Sequence, residues 1–196
     1  MSEPIPAHHN DLDAILPAAF RLFSRGVADR RSAFHTPTIA TIAHGLPALR
    51  TVVLRGFDPV LRTLTFHTDV RSAKVAALIA NPMAALHAYD AGQKIQIRAT
   101  GPVTLHEADD AADGAWERSS PPARRTYAIL PAPGTAIASP ADADLDGQDL
   151  AATRAVFRRA DLTITHLEWL YLAATGHRRA RFTWTDDALS STWLVP

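Results

Sequence analysis

The chain has 196 residues, and its 20 basic and 20 acidic side chains give a formal charge of zero, so no global field draws it to nucleic acid or an anionic membrane. Hydrophobic residues make up 47% of it, enough for a sizeable core, yet no apolar run reaches the roughly 18 residues a membrane helix needs. Cysteine is absent, which removes disulfides, thiolate catalysis and Cys-based zinc sites together.

The opening MSEPIPAHHNDLD lacks a basic region followed by an apolar one, so no secretory signal is expected and a cytoplasmic location is. Asn10 or Asp11 can cap a helix with Leu12, Ile15, Leu16, Ala19, Phe20, Phe23 and Val27 on one side. Pro17 either kinks that helix or marks its first turn. Thr38 to His44 and Ala48 to Phe57 read as strands joined by Gly45-Leu46-Pro47, and Asp58-Pro59 turns the chain into a third, Leu61 to His67. The connections are too short for parallel crossovers, so an antiparallel meander is expected. Ser72 suits the N-cap of a helix over Ala73 to Ala80, which Pro82 stops. Strands follow at Met83 to Tyr89 and Lys94 to His106.

Residues 107–160 change character, with a helix-like segment around Trp116 and then Pro131-Ala132-Pro133-Gly134. The stretch 138–148 reads as an acidic loop; Asp142, Asp144 and Asp146 do not make a calcium loop, because Gly147 is misplaced and no glutamate closes the motif. A helix is expected from Asp149 to Ala160, then strands at Leu162 to Ala173, Arg178 to Thr185 and Ser191 to Val195. These elements predict a mainly β chain with flanking helices, roughly seven antiparallel strands curled into a sheet or small barrel. It reads as a single domain over 1–196: an N-terminal helix in 1–36, a helical and loop insertion in 107–160, and C-terminal strands in 161–196.

Chemistry concentrates between Leu49 and Gly101. A phosphomonoester needs positive charge and directed donors. Arg50, Ser72 and Lys74 supply these if the strand from Arg50 lies beside the start of the Ser72 helix, and Thr68 adds a hydroxyl. Only Lys74 and Lys94 among the 20 basic residues are lysines, so an ammonium at this helix start stands out. Gln96 can both donate and accept, as the edge of a polar heterocycle requires. Taken singly, each of these is an ordinary surface residue; their order and spacing carry the signal. The histidines show no His-x-x-x-His pair, and no metal site is expected. Gly-x-Ser-x-Gly, Walker-type and Gly-x-Gly-x-x-Gly motifs are all absent.

The order of these blocks resembles that of the pyridoxamine 5'-phosphate oxidase-like FMN-binding split barrels. The family's Arg-x-Val-Leu-Leu-Lys is matched by Arg50-Thr51-Val52-Val53-Leu54-Arg55, its Tyr-Thr by His67-Thr68, its Ser-Arg-Lys by Ser72-Ala73-Lys74, and its Gln-Val-Arg-x-x-Gly by Gln96-Ile97-Arg98-Ala99-Thr100-Gly101. The resemblance implies an antiparallel split β-barrel, FMN as cofactor, and a homodimer with the flavin between subunits. It implies that Arg50 and Lys74 hold the FMN phosphate with Ser72, Thr68 and His67 nearby. The backbone of Thr51, Val52 and Val53 and the side chain of Gln96 would contact the ring. Tyr171 and Arg181 are the C-terminal counterparts, with Trp169 and Arg179 in competing register. Arg55 stands at a substrate-facing lysine, and Arg55 and Arg179 are candidate anchors for an anionic substrate.

This chain also departs from the family. Ala73 replaces a phosphate-binding arginine, His67 a tyrosine, and His177-Arg178-Arg179 the substrate signature Arg-Leu-His. The family's Tyr-Phe-x-x-Arg-Pro-x-x-Ser segment is not recognisable between Trp116 and Pro122. The implied function is an FMN-dependent oxidoreductase passing hydride from a small substrate to flavin N5. The alternatives are a non-catalytic FMN protein for storage or sensing, or a barrel for another anionic cofactor such as haem or deazaflavin. No nucleic-acid or membrane partner is expected.

Overall fold

The computed structural model describes residues 4–145 and 153–196. Asp11 caps helix α1 (Leu12–Ala28) by accepting the Asp13 amide at 3.0 Å, and the helix continues through Pro17. Its buried Ile15, Ala19, Leu22 and Phe23 recur at helical spacing and enter the core. β1 (Thr38–Ala43) and β2 (Leu46–Thr51) form a hairpin whose two turn residues, His44 and Gly45, both have positive φ, as a primed turn requires. Pro47 is tolerated because β2 is an edge strand.

The expected strand from Ala48 to Phe57 is two strands. β2 leaves β1 at Thr51, and β3 (Leu54–Asp58) pairs instead with β4 (Thr63–Asp69). Between them the Val52 amide donates to Pro37 O at 3.0 Å and the Leu54 amide to His35 O at 2.8 Å, which turns the chain from one sheet to the other. Helix α2 (Ala73–Ala80) and strands β5 (Met83–Asp90) and β6 (Ile95–His106) follow.

β6 is shared by both sheets. Along one edge it pairs with β5 from Ile95 to Pro102. Along the other, Ile95 to Thr100 pair with β8 (His166–Tyr171) and Val103 to His106 pair with β7 (Phe157–Thr163). Gly101 sits at the changeover, where the backbone crossing from β7 to β8 presses on it: a Cβ there would lie 1.8 Å from Thr163 O. β9 (Arg178–Thr185) and β10 (Ala188–Leu194) complete a path β10-β9-β8-β6-β5-β1-β2, while β3, β4 and β7 roll back onto β6. The result is a split β-barrel of antiparallel strands with flanking helices, filled by Phe23, Phe34, Ile39, Phe66, Ile97, Trp169 and Phe182.

Two expectations are corrected. Ten strands replace seven among the described residues, because the long strands break where they change sheets; Leu162 to Ala173 divides at Ile164-Thr165 in the same way. The helix expected over Asp149 to Ala160 is helical only as α5 (Thr153–Val156), and Phe157 begins β7. Its first residues, like Asp146 and Gly147 of the acidic loop, lie outside the described residues. α3 (Asp110–Arg118) and α4 (Pro121–Arg125) carry the Trp116 segment. Among the described residues no helix is long and apolar enough to cross a membrane.

Candidate FMN site

Thr68 and Ser72 are buried and face each other, their hydroxyl oxygens 3.2 Å apart. Ser72 holds the N-cap position of α2, but its hydroxyl makes no capping bond. It accepts instead from Lys74 Nζ at 3.1 Å, and Thr68 Oγ1 accepts from the same ammonium at 3.0 Å. Burial, and then the charge of Arg50, push the Lys74 pKa down against the pull of Asp69. Arg50 is therefore close enough for the two charges to repel. Its guanidinium donates to Thr41 Oγ1 at 2.7 Å and Ala48 O at 2.8 Å, both neutral, and burial lowers its pKa.

Neither cation forms a salt bridge with a carboxylate among the described residues. Asp69, the nearest candidate, is committed to the Arg71 guanidinium at 2.6 Å. Two half-buried positive groups, each bonded to neutral oxygens alone, are an unbalanced arrangement, because desolvation disfavours each charge and proximity disfavours both. A bound anion is the natural counterweight, and two cations, two hydroxyls and a helix start suit a phosphate.

The remaining expected residues go elsewhere. Successive residues of β4 alternate faces, so His67 points away from Thr68 into a cleft of about 620 Å³ with Arg55, Arg118, Arg159 and Asp161. Thr51, Gln96 and Arg181 face outward from the long sheet; a single cross-strand row runs Thr51, Thr38, His87, Arg98, Glu168, Arg181. Arg179 is on that face too, far from the cleft that holds Arg55: it donates to Glu168 Oε2 at 2.6 Å, while Arg181 donates to Oε1 at 2.8 Å and Arg98 bonds the same carboxylate. Burial pushes the Glu168 pKa up, but these three guanidinium groups outweigh it and hold the carboxyl at about 2. Tyr171 points to the inner face, its ring 4.4 Å from His9 and 6.3 Å from Trp169. Val52 is buried and its amide is already bonded to Pro37 O, so ring contacts from this stretch fall to Thr51, Val53 or the carbonyl groups.

Arg118 and Arg159 were not singled out from the sequence. Only the pairing of His67 with Arg159 across β4 and β7, and the docking of Trp116 on Phe157 at 5.2 Å, bring them to one cleft. Burial, then Arg55, Arg159 and Arg118, outweigh Asp161 and hold His67 at about 4. His67 is thus neutral when folded and takes up a proton on unfolding below pH 6.5, so the stability tied to it is present above about 6.5 and lost as pH falls toward 4. Stability should fall between pH 6.5 and 4.5, and His67→Gln should flatten that slope by on the order of 2 kcal/mol. Urea denaturation midpoints across this range test it; parallel curves for both proteins contradict it.

Comparison with known proteins shows what this part of the chain is similar to. Residues 18–107 match the family described as pyridoxamine 5'-phosphate oxidase, FMN-binding domain. Over this stretch, just under half of the chain, it is similar to the pyridoxamine 5'-phosphate oxidase-like FMN-binding family. The matched residues include Arg50, Thr68, Ser72 and Lys74, and the site they build fits the phosphate of FMN. The chain is 40% identical over 89 residues to the pyridoxine/pyridoxamine 5'-phosphate oxidase of Azorhizobium caulinodans, and 45% identical over 62 residues to that of Nitrobacter winogradskyi. These matches take in 43% and 32% of this chain and span only 41% and 28% of those two oxidases. Among solved structures, a pyridoxamine 5'-phosphate oxidase-related, FMN-binding protein from Nostoc punctiforme is 26% identical with a TM-score of 0.77, covering 92% of this chain and 96% of its own. PhzG from Burkholderia lata, solved with tetrahydrophenazine-1-carboxylic acid, has a TM-score of 0.79 at 19% identity over 100% of this chain and 99% of its own, a likeness of fold alone.

Proposed function

We propose that this protein is a homodimeric FMN-dependent oxidoreductase that takes hydride from a small substrate. The observation that carries this reading is the Lys74 ammonium held by the Thr68 and Ser72 hydroxyls, with Arg50 near enough to repel it and neither cation paired with a carboxylate among the described residues. In this reading those four residues hold the phosphate of FMN. Bound FMN supplies a two-electron hydride acceptor at N5, and the protein positions the substrate and shields the ring from water. Thr51 and Val53 border the ring through their backbone.

Gln96 and Arg181 face away from Lys74 within one chain. They can join the same flavin only if two chains pair through the outer sheet face, with each contributing to the other's site. That face suits pairing: Ile42, Leu49, Met83 and Tyr89 are 42%, 66%, 42% and 42% exposed along it, an apolar patch of the kind that marks interfaces. The whole chain acts as one domain in this proposal, with α3 and α4 lining the cleft that holds Arg55. The relatives named as pyridoxine/pyridoxamine 5'-phosphate oxidases make pyridoxamine phosphate the first substrate to try. Purified protein is expected to take up one FMN per chain in an absorbance titration, and the bound flavin to bleach anaerobically with a substrate. FMN uptake with no bleaching by amine, alcohol or nicotinamide donors would show a flavin-binding protein without turnover; no uptake at all would remove the reading.

A further inference from the structure

A second cavity, of about 500 Å³, lies between the one-turn helix Ala7–Asn10, α1, the turn from β5 to β6, and β8. Its aromatic wall is Trp169 and Tyr171, whose rings stack at 6.3 Å and 15°, with the His9 ring set against them at 5.0 and 4.4 Å. His9 is only 6% exposed, and its Nδ1 finds no hydrogen-bond partner among the described residues, which few buried polar atoms tolerate. Burial, and then His8, lower the His9 pKa to about 4, so the ring is neutral. The charge of the lining comes from Arg21, Arg25 and Lys94 at the mouth, and no carboxylate lines the cavity. Arg25 pairs with Asp29 at 3.5 Å. Asp90, in the neighbouring turn, is taken up by the Gln93 amide and side chain at 2.9 and 2.7 Å. Arg21 and Lys94 are left without a salt bridge among the described residues. Lys94, one of only two lysines in the chain, stands at φ +58°, a left-handed conformation that suits glycine or asparagine far better. The turn thus carries a strained residue where it meets the cavity, as ligand clamps do.

We propose that this cavity binds a planar aromatic acid, its ring packed among Trp169, Tyr171 and His9 and its carboxylate or phosphate held at the mouth by Lys94 and Arg21. Aromatic walls favour a flat ring, and two cations without counter-charges favour an anion over any neutral or cationic ligand. The volume suits a ligand of one or two rings. Turning the His9 ring about its Cβ–Cγ bond breaks no hydrogen bond at Nδ1, so the imidazole is free to offer a nitrogen to that ring. The site is separate from the one assigned to the flavin. Successive residues of β6 alternate faces, so Ile95 lines this cavity while Gln96 faces outward from the sheet. The proposal therefore does not rest on the oxidoreductase reading, and FMN should not compete with the acid.

2-Naphthoate and 2-naphthyl phosphate serve as probes, with 2-naphthamide as the uncharged control, titrated by calorimetry into the protein with and without FMN. At least one acid is expected to bind, roughly tenfold or more tighter than the amide, with the same affinity whether or not FMN is present. The tighter of the two tells carboxylate from phosphate, and NMR of the His9 ring should register its arrival. Lys94→Gln and Arg21→Gln, both at exposed side chains, should each weaken that acid roughly tenfold. Lys94→Arg, keeping the charge, should recover most of the loss, and the surface variant Arg31→Gln should bind as the parent does. Binding of neither acid, equal binding of acid and amide, or unchanged affinity in both Lys94→Gln and Arg21→Gln overturns the site. Displacement of the acid by FMN also overturns it, since the probe would then occupy the flavin's place. A protein that takes FMN but neither acid refutes this site alone. One that binds an acid through Lys94 but takes no FMN keeps the site and refutes the flavin reading.

Discussion

Gly101→Ala is expected to leave the protein destabilised by more than about 4 kcal/mol, a large share of the 5–15 kcal/mol that holds a domain folded. A Cβ at this position would stand 1.8 Å from Thr163 O, 2.9 Å from Thr163 C and 3.1 Å from Thr165 N. All three are backbone atoms, so no side chain can rotate away. The crossing strand cannot retreat without loss either, since the Thr165 amide and hydroxyl both donate to Thr100 O, at 2.9 and 3.1 Å. Gly114→Ala offers the contrast: its Cβ would meet only the mobile end of Arg118, at 3.1 Å, and alanine favours a helix by up to about 1 kcal/mol over glycine. Chemical denaturation followed by circular dichroism tests both. A loss below about 1 kcal/mol for Gly101→Ala would mean that the two sheets do not meet as described.

Lys74→Ala is expected to weaken FMN binding by about 2 kcal/mol, roughly thirtyfold, and Arg50→Ala by a similar amount, the range for hydrogen bonds to a charged group. The same site predicts an opposite effect without cofactor. Lys74 is a desolvated ammonium repelled by Arg50 and bonded only to hydroxyls, so Lys74→Met should raise the stability of the cofactor-free protein while lowering its FMN affinity. A variant that loses stability and affinity together would mark Lys74 as a structural residue. The pair of measurements therefore separates the two roles.

Much of this was legible in the sequence because it is local. Thr68, Ser72 and Lys74 are four and two residues apart across a strand end and a helix start, and their meeting follows from that geometry. That Arg50 lies near them could be stated only as a condition on how its strand meets the Ser72 helix, since no local rule links residues 24 apart. The strand breaks were not legible. At Val52-Val53 and at Ile164-Thr165 the apolar pattern runs on while the backbone changes sheets, and neither glycine nor proline marks the place. β7 was hidden by its own charges. Arg158 and Asp161 are buried in it and compensated by Glu107 and by Thr65 and Arg159, partners that only the folded chain supplies. His67 was grouped with Thr68 because the resemblance matches the pair to the family's Tyr-Thr. Strand alternation alone sends them to different sites, and the period-2 rule could have said so.

The most direct test compares FMN with riboflavin, which has the same ring and no phosphate. The parent protein should prefer FMN markedly, and Lys74→Ala and Arg50→Ala should each shrink that preference by about the factor lost for FMN while leaving riboflavin affinity nearly unchanged. Equal affinity for the two flavins in the parent, or a preference untouched in both variants, would contradict the assignment of these two cations to the phosphate.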